Sequence, residues 1–377
     1  QSKLNKSAPG EKISVFVYMK DQADLPALFP SAGKNPTNDE VDAMMQYLRD
    51  FASKHQQGIL EQLKSYGNEV VDLTPFWIAN ELSFKAPARI IRAIASRADV
   101  DIVEEERIFT IPPYEVSPAP SEVKGIEWHV TIVQADKCWN AGYAGQGIVV
   151  GNIDTGVYKD HPCFGGRWRQ TNGWYDAVGG QPNPYDDNGH GTHTMGIICG
   201  GDGFGPFVDD IGVAPGANFI MAKGLDVNGS GSQTQLTNCL TWMANTGRPH
   251  VLSNSWGSTS TTSTAFWAAC ATCRSAGIRI LFSIGNSGPN PNTAGTPGNY
   301  PIVMGVGSTD QADGISSFSS RGPAPNQSPW NVTSNWDRPD WNRTKPDISA
   351  PGAGIRSASN TGSGYVFMSG TSMASPN

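Results

Sequence analysis

Apolar and polar positions alternate in two different rhythms along this chain. Near its start, Ile13, Val15, Val17 and Met19 fall on every second residue, the signature of a half-buried strand. Val41, Met44, Met45, Leu48, Ala52, Ile59 and Leu63 then follow a helical period. Thr37-Asn38-Asp39-Glu40 forms a capping box at the head of that helix, and Gly67 stands where it should stop. A strand-like run covers 77–84, Pro87 opens a second helix carrying Ile90, Ile91 and Ile94, and a last strand-like stretch occupies 100–103. The order predicts a small ferredoxin-like α+β unit over residues 1–112.

Residues 113–124, rich in Pro and small polar residues, show no period and predict an exposed linker. From about residue 125 the rhythm changes. Short continuous apolar runs at 148–153, 219–222, 251–252, 279–284 and 302–306 are separated by helix-like segments. Continuous runs belong to strands buried on both faces, so residues 125–377 predict an α/β unit with a parallel sheet between helices. Ligands of such sheets gather at the carboxyl ends of the strands. The stretch 323–345 predicts a long surface loop.

Composition narrows the picture. Only 16% of residues are charged and the formal net charge is -7, which provides no electrostatic footprint for nucleic acid. No apolar run reaches membrane-spanning length. The chain starts at Gln1, read as a secreted protein whose signal peptide has been removed. Six cysteines, all beyond residue 137, permit up to three disulfides. Cys270 and Cys273 have redox-motif spacing, but no second such pair supports a zinc site, so buried thiols or ordinary disulfides are expected there.

Three words carry chemistry. Asn152-Ile153-Asp154-Thr155-Gly156 sets an acid at the end of an apolar run. Asn188-Gly189-His190-Gly191-Thr192-His193 sets a histidine between glycines, before a helical stretch. Ser369-Gly370-Thr371-Ser372-Met373-Ala374-Ser375-Pro376 sets a serine at a helix start. A serine hydroxyl needs a base to become a nucleophile, histidine titrates near neutral pH, and a carboxylate orients the imidazole. The nearby Asp186 and Asp187 read as a solvated loop, and His161 and His193 as structural.

Together, in this order, the three words resemble the subtilase family over residues 125–377. The resemblance implies Asp154 as orienting acid, His190 as general base and Ser372 as nucleophile. It implies Asn286, within Ser283-Ile284-Gly285-Asn286, as an oxyanion donor beside the Ser372 N–H. Gly229, Ser230 and Gly231 would pair with an extended peptide on one side of the cleft, with Ser255, Trp256 and Gly257 on the other. Gly285 would help line the site. Trp256 is expected at the pocket for the residue before the cut, the alternative being a plain core tryptophan.

Residues 1–112 then resemble the family's inhibitory propeptide, an intramolecular inhibitor whose tail, about 105–124, fills the cleft and holds the processing region. The expected substrates are polypeptides, with no nucleic-acid or membrane partner and a monomeric state. No cofactor is required for such chemistry. Calcium is possible, with Asp209 and Asp210 as available acids, but no motif supports it. The chain ends at Asn377, five residues after Ser372, so a missing remainder is expected. The competing expectations are a transpeptidase or peptide ligase using the same triad, and a latent complex without catalysis.

Overall fold

The computed structural model describes residues 8, 10–119, 125–201, 210–338 and 341–377. Its first half is built on strand β1, Lys12–Met19, whose alternate side chains are buried. The helix Asn38–Ser65 follows. The Thr37 hydroxyl accepts from the Glu40 N–H at 3.3 Å while the Thr37 N–H donates to the Glu40 carboxylate at 2.7 Å, so two of the helix's orphan donors are satisfied. The helix ends at Ser65, and Gly67 takes φ +56°, a conformation that costs glycine little. Strands β2 (Val71–Phe76), β3 (Glu81–Pro87) and β4 (Val100–Glu105) complete an antiparallel sheet ordered β2-β3-β1-β4, and the helix Ala88–Ala95 lies between β3 and β4.

The strand-like run at 77–84 is strand only from Glu81, where β3 begins, and its first four residues turn the β2–β3 hairpin. Trp77, Ile78, Ala79 and Asn80 form its tip, with Asn80 at φ +46°. Trp77, Ile78 and Ala79 are apolar because the tip docks on the second half of the chain. Ile78 and Ala79 are buried with Ala269 and Cys273, and the Thr272 hydroxyl donates to the Ile78 carbonyl at 2.9 Å.

Two short strands leave this unit: β5, Ile108–Thr110, and β6, Glu115–Pro118. The second lies in the stretch expected to be an irregular linker. Its four residues are exposed, yet it is held by backbone pairing, which leaves no hydrophobic period in the sequence.

The second half contains a sheet of seven strands, all parallel: β7 (Val149–Asp154), β8 (Trp174–Asp176), β9 (Asn218–Lys223), β11 (Val251–Asn254), β12 (Arg279–Ser283), β13 (Met304–Thr309) and β14 (Ile348–Pro351). Their spatial order is β14-β13-β12-β11-β7-β9-β8. Between β9 and β11 the chain forms β10, Ser230–Ser232, which pairs with β5. After β14, β15 (Ile355–Ala358) and β16 (Tyr365–Ser369) form a small antiparallel sheet with β6.

The strand side chains divide between two cores. Ile153, Ile220 and Ala222 pack with the helices Gln233–Trp242 and Trp267–Ser275. Val150, Phe219 and Met221 pack with the helix His190–Cys199. Helices therefore cover both faces, as the continuous apolar runs require.

The first core does not stop at the second half. Phe16, Met44, Met45, Leu48 and Phe76 belong to the same buried cluster as Leu236, Leu240 and Ala269. The first unit thus seats its sheet and long helix on the outer side of the two helices. The described part of the 323–345 stretch is irregular but for one 3-10 turn at Thr333–Asn335, and it is not superficial. Trp330 and Trp336 are buried, and the Trp330 indole donates to the Asn299 side chain at 2.9 Å. Cys138, Cys199, Cys239, Cys270 and Cys273 are free thiols, and of the six cysteines Cys138 alone is exposed. Burial pushes the Cys273 thiol up to about 12, so it behaves as an inert apolar side chain.

Candidate active site

Strand β7 ends in Asp154, at the carboxyl edge of the sheet where functional groups of such folds collect. His190 is the first residue of its helix, entered through Gly189 at φ +105°. Its Nδ1 lies 2.8 and 3.1 Å from the two Asp154 oxygens, and both side chains are fully buried. The Thr155 N–H also donates to Asp154 at 2.7 Å. With the carboxylate held on Nδ1, the imidazole presents Nε2 to the cleft.

Asp186, expected in a solvated loop, instead ties this corner together. One oxygen accepts from the Thr155 hydroxyl (2.9 Å) and the Asn188 and Gly189 N–H groups (3.1 and 2.8 Å). The other accepts from the Thr192 N–H (2.9 Å) and hydroxyl (2.6 Å). Asp187 pairs with the buried Lys223 ammonium at 2.7 Å. Among the described residues, no group of three or more His, Cys, Asp or Glu side chains is arranged to hold a metal ion, and Asp209 lies outside those residues. The backbone is as tightly fitted. A Cβ on Gly156 would stand 1.9 Å from the Tyr185 carbonyl oxygen, and one on Gly191 2.2 Å from the Gly156 carbonyl oxygen.

His193, three residues on from His190, faces away into the β15–β16 layer. Its Nε2 lies 3.2 and 3.1 Å from the carbonyls of Ile355 and Val366, and burial, then the neighbouring His190, push its pKa down to about 3. His161 likewise contacts the Gly364 carbonyl at 3.0 Å.

Ser372 lies in the short helix Thr371–Ala374, just after Gly370. Its hydroxyl donates to the Ser255 carbonyl at 3.3 Å, and the Ser255 hydroxyl donates back to the Ser372 carbonyl at 2.8 Å. Among the described residues His190 Nε2 has no hydrogen-bond partner, so the acid–imidazole contact is made and an imidazole–hydroxyl bond is not. Asn286 follows β12. Its side-chain oxygen accepts from the Thr371 N–H (2.9 Å) and hydroxyl (2.7 Å), which fixes the amide flip and aims Nδ2 into the cleft. There Nδ2 donates to the Pro113 carbonyl at 2.8 Å. Gly285, at φ +106°, donates its N–H to the Thr371 hydroxyl at 3.3 Å.

The chain's own residues occupy the groove. Ser230, Gly231 and Ser232 pair antiparallel with Thr110, Phe109 and Ile108. Thr110 exchanges two backbone bonds with Gly257, at 3.2 and 3.1 Å, and the Ile111 N–H donates to the Gly229 carbonyl at 3.0 Å. The Phe109 ring is buried with its centroid 4.7 Å from that of Phe266 and 6.4 Å from that of Trp256. A cavity of about 60 Å³ remains beside the tail, lined by Thr110, Pro112, Pro113, Gly257, Gly285 and Asn286 among others.

Trp256 does not line that cavity. It is fully buried against Phe109, Phe266 and Phe282, because the indole points into the core beneath the strand edge rather than along it. Tyr114 was not singled out in the sequence. Its ring lies 5.0 Å from that of His190, and its hydroxyl is 3.4 Å from the Asn188 side-chain oxygen. A tyrosine beside prolines carries no motif, so only the fold reveals it.

A seven-stranded parallel sheet with Asp154 and Asn286 at strand ends, and His190 and Ser372 at the starts of adjacent helices, is the architecture of a subtilisin-like serine peptidase. The chain belongs to the subtilase family, whose model matches residues 145–377. It is 30% identical over 411 residues to Bacillopeptidase F of Bacillus subtilis (strain 168), an alignment that takes in 97% of this chain and 27% of that protein. It therefore spans about a quarter of that relative's length. Subtilisin Savinase of Lederbergia lenta is 33% identical over 253 residues, covering 67% of this chain and 81% of the relative. Among solved structures, a cold-adapted subtilisin-like serine proteinase is similar with a TM-score of 0.53 and 30% identity, over 67% of this chain and 81% of its own.

Proposed function

We propose that this chain is a secreted serine endopeptidase that hydrolyses polypeptides through an acyl-enzyme, with residues 1–112 as its intramolecular inhibitor, 113–124 as the joining and processing region, and 125–377 as the catalytic unit. One observation carries the reading. The Asn286 amide donates to a backbone carbonyl of the chain's own tail, while the preceding residues pair with both walls of the groove as an extended peptide would.

In this reading Ser372 Oγ adds to the carbonyl carbon of a bound peptide as its proton passes to His190 Nε2. Asp154, 2.8 Å from Nδ1, holds the tautomer and stabilises the imidazolium. Asn286 Nδ2 and the Ser372 N–H stabilise the oxyanion; one such donor is worth roughly 100–1,000-fold in rate. His190 then protonates the departing amine, and water, deprotonated by the same imidazole, hydrolyses the ester. The reaction asks for no cofactor.

Pairing through backbone at Gly229, Ser230, Gly231 and Gly257 discriminates little among side chains, so many sequences should be accepted. A broad peptidase must stay silent until it leaves the cell that makes it, which is the sense of an attached inhibitor and of secretion. The test is labelling with a fluorophosphonate. Label on the protein that disappears in Ser372→Ala supports the reading; equal label in both variants refutes it.

A further inference from the structure

Between its two paired segments the tail crosses the catalytic residues outside any strand. Upstream, β5 is clamped by β10 and Gly257. Downstream, Glu115 to Pro118 pair with Ser369 to Val366 on β16, the strand that leads directly into Ser372. Four residues, Ile111 to Tyr114, bridge the gap. Within it, the Asn286 amide engages the carbonyl of Pro113 at 2.8 Å. On the far side of that carbonyl the chain continues into Tyr114, whose ring covers His190 and whose Cβ approaches Gly370.

The two peptide bonds that Pro113 makes are chemically unequal. The bond before it ends on a ring nitrogen without hydrogen, whose substituents crowd the path along which an imidazolium delivers its proton. The bond after it ends on the ordinary N–H of Tyr114, on the His190 side. The polarised carbonyl and the protonatable nitrogen therefore belong to one bond.

We propose that the Pro113–Tyr114 bond is the one this site cuts in its own chain; the inference rests on Ser372 acting as the nucleophile. The Ser372 hydroxyl leaves the Ser255 carbonyl, gives its proton to His190 Nε2 and forms an ester with the Pro113 carbonyl carbon. The bond to the Tyr114 nitrogen breaks as that nitrogen takes the proton. Water then hydrolyses the ester, restoring the Ser372 hydroxyl and leaving a carboxylate on Pro113. The new carboxylate stays beside Asn286, because β5 and Phe109 remain clamped, while Tyr114 departs with β6.

The full chain, incubated at neutral pH, is read by intact mass and by sequencing of new amino termini. The expected product begins Tyr-Glu-Val-Ser, is absent from Ser372→Ala, and is replaced in Tyr114→Phe by one that begins Phe-Glu-Val-Ser. In Tyr114→Pro the nitrogen loses its hydrogen, and cutting at this bond should slow at least ~100-fold, the scale on which misdirected general-acid catalysis costs rate. A product that begins at Pro113, or anywhere from 119 to 126, overturns the inference, as does undiminished cutting in Tyr114→Pro. Fluorophosphonate labelling of the same samples separates the two levels. A protein that labels on Ser372 but stays whole, or is cut elsewhere, refutes this bond and leaves the peptidase reading standing. One that neither labels nor cuts refutes both.

Discussion

Phe109→Ala probes the hold of the tail on the groove. Phe109 is one of the largest fully buried side chains, though it sits on a strand of three residues. Its ring packs on Phe266 and Trp256, which belong to the other half of the chain. Truncating a buried phenylalanine costs about 3–5 kcal/mol. The short strand can partly collapse into the space, so the lower end, about 3 kcal/mol, applies. At 1.4 kcal/mol per factor of ten, the population with the groove open should rise roughly 100-fold. The assay is the rate at which a fluorophosphonate labels Ser372, compared between the parent chain and Phe109→Ala, with Ser372→Ala as the blank. If tail opening gates access, labelling accelerates by about that factor. An unchanged rate, with the blank silent, would refute the idea that this side chain anchors the plug.

Asn286→Ala removes the amide that faces the tail and should lower kcat on a peptide substrate by roughly 100–1,000-fold with little change in KM; a change confined to KM would deny it the oxyanion role. Gly156→Ala forces a Cβ against the Tyr185 carbonyl in a backbone at φ +115°, next to Asp154. It should cost about 2 kcal/mol or more and reduce Ser372 labelling, and an unaltered thermal midpoint would contradict the packing. The Glu81 carboxyl, buried and facing Glu104, is held well above its ordinary value of 4.5, by burial first and by the Glu104 charge second. The folded state then keeps a proton that the unfolded chain sheds near pH 4.5. The corresponding stability is full below that pH and drains away as pH rises through the folded value. In a Ser372→Ala background, Glu81→Gln should flatten this decline in thermal midpoint above pH 4.5; parallel curves for the two proteins would rule it out.

What could be read from the chain without coordinates follows from how locally each feature is specified. The helix Asn38–Ser65 announces itself because its period, its cap at Thr37 and its stop at Gly67 are neighbours in sequence. Asp154, His190 and Ser372 are legible as short words, since each needs fixed neighbours: a glycine that lets Gly156 pass under Tyr185, another before the helix of His190. The hairpin tip at Trp77 to Asn80 misleads because its apolar residues serve a surface 194 residues away. Strand β6 is invisible because carbonyls and amides order it, and those are the same in every residue. Trp256 and Phe109 each look like ordinary aromatics, and their partnership exists only once β5 crosses β11's end.

The continuous core beneath β1 and the long helix makes the first break in the chain an incomplete event. Severing the tail removes one covalent link, yet Phe16, Met44, Leu48, Phe76 and Ile78 still lie sealed against Leu236, Leu240 and Ala269. Two pieces would therefore travel as one particle after scission. Free activity would show a lag behind the cut, ending when the smaller piece unfolds or is itself digested. Timing would be set by how long an oily contact survives rather than by the chemistry of the serine.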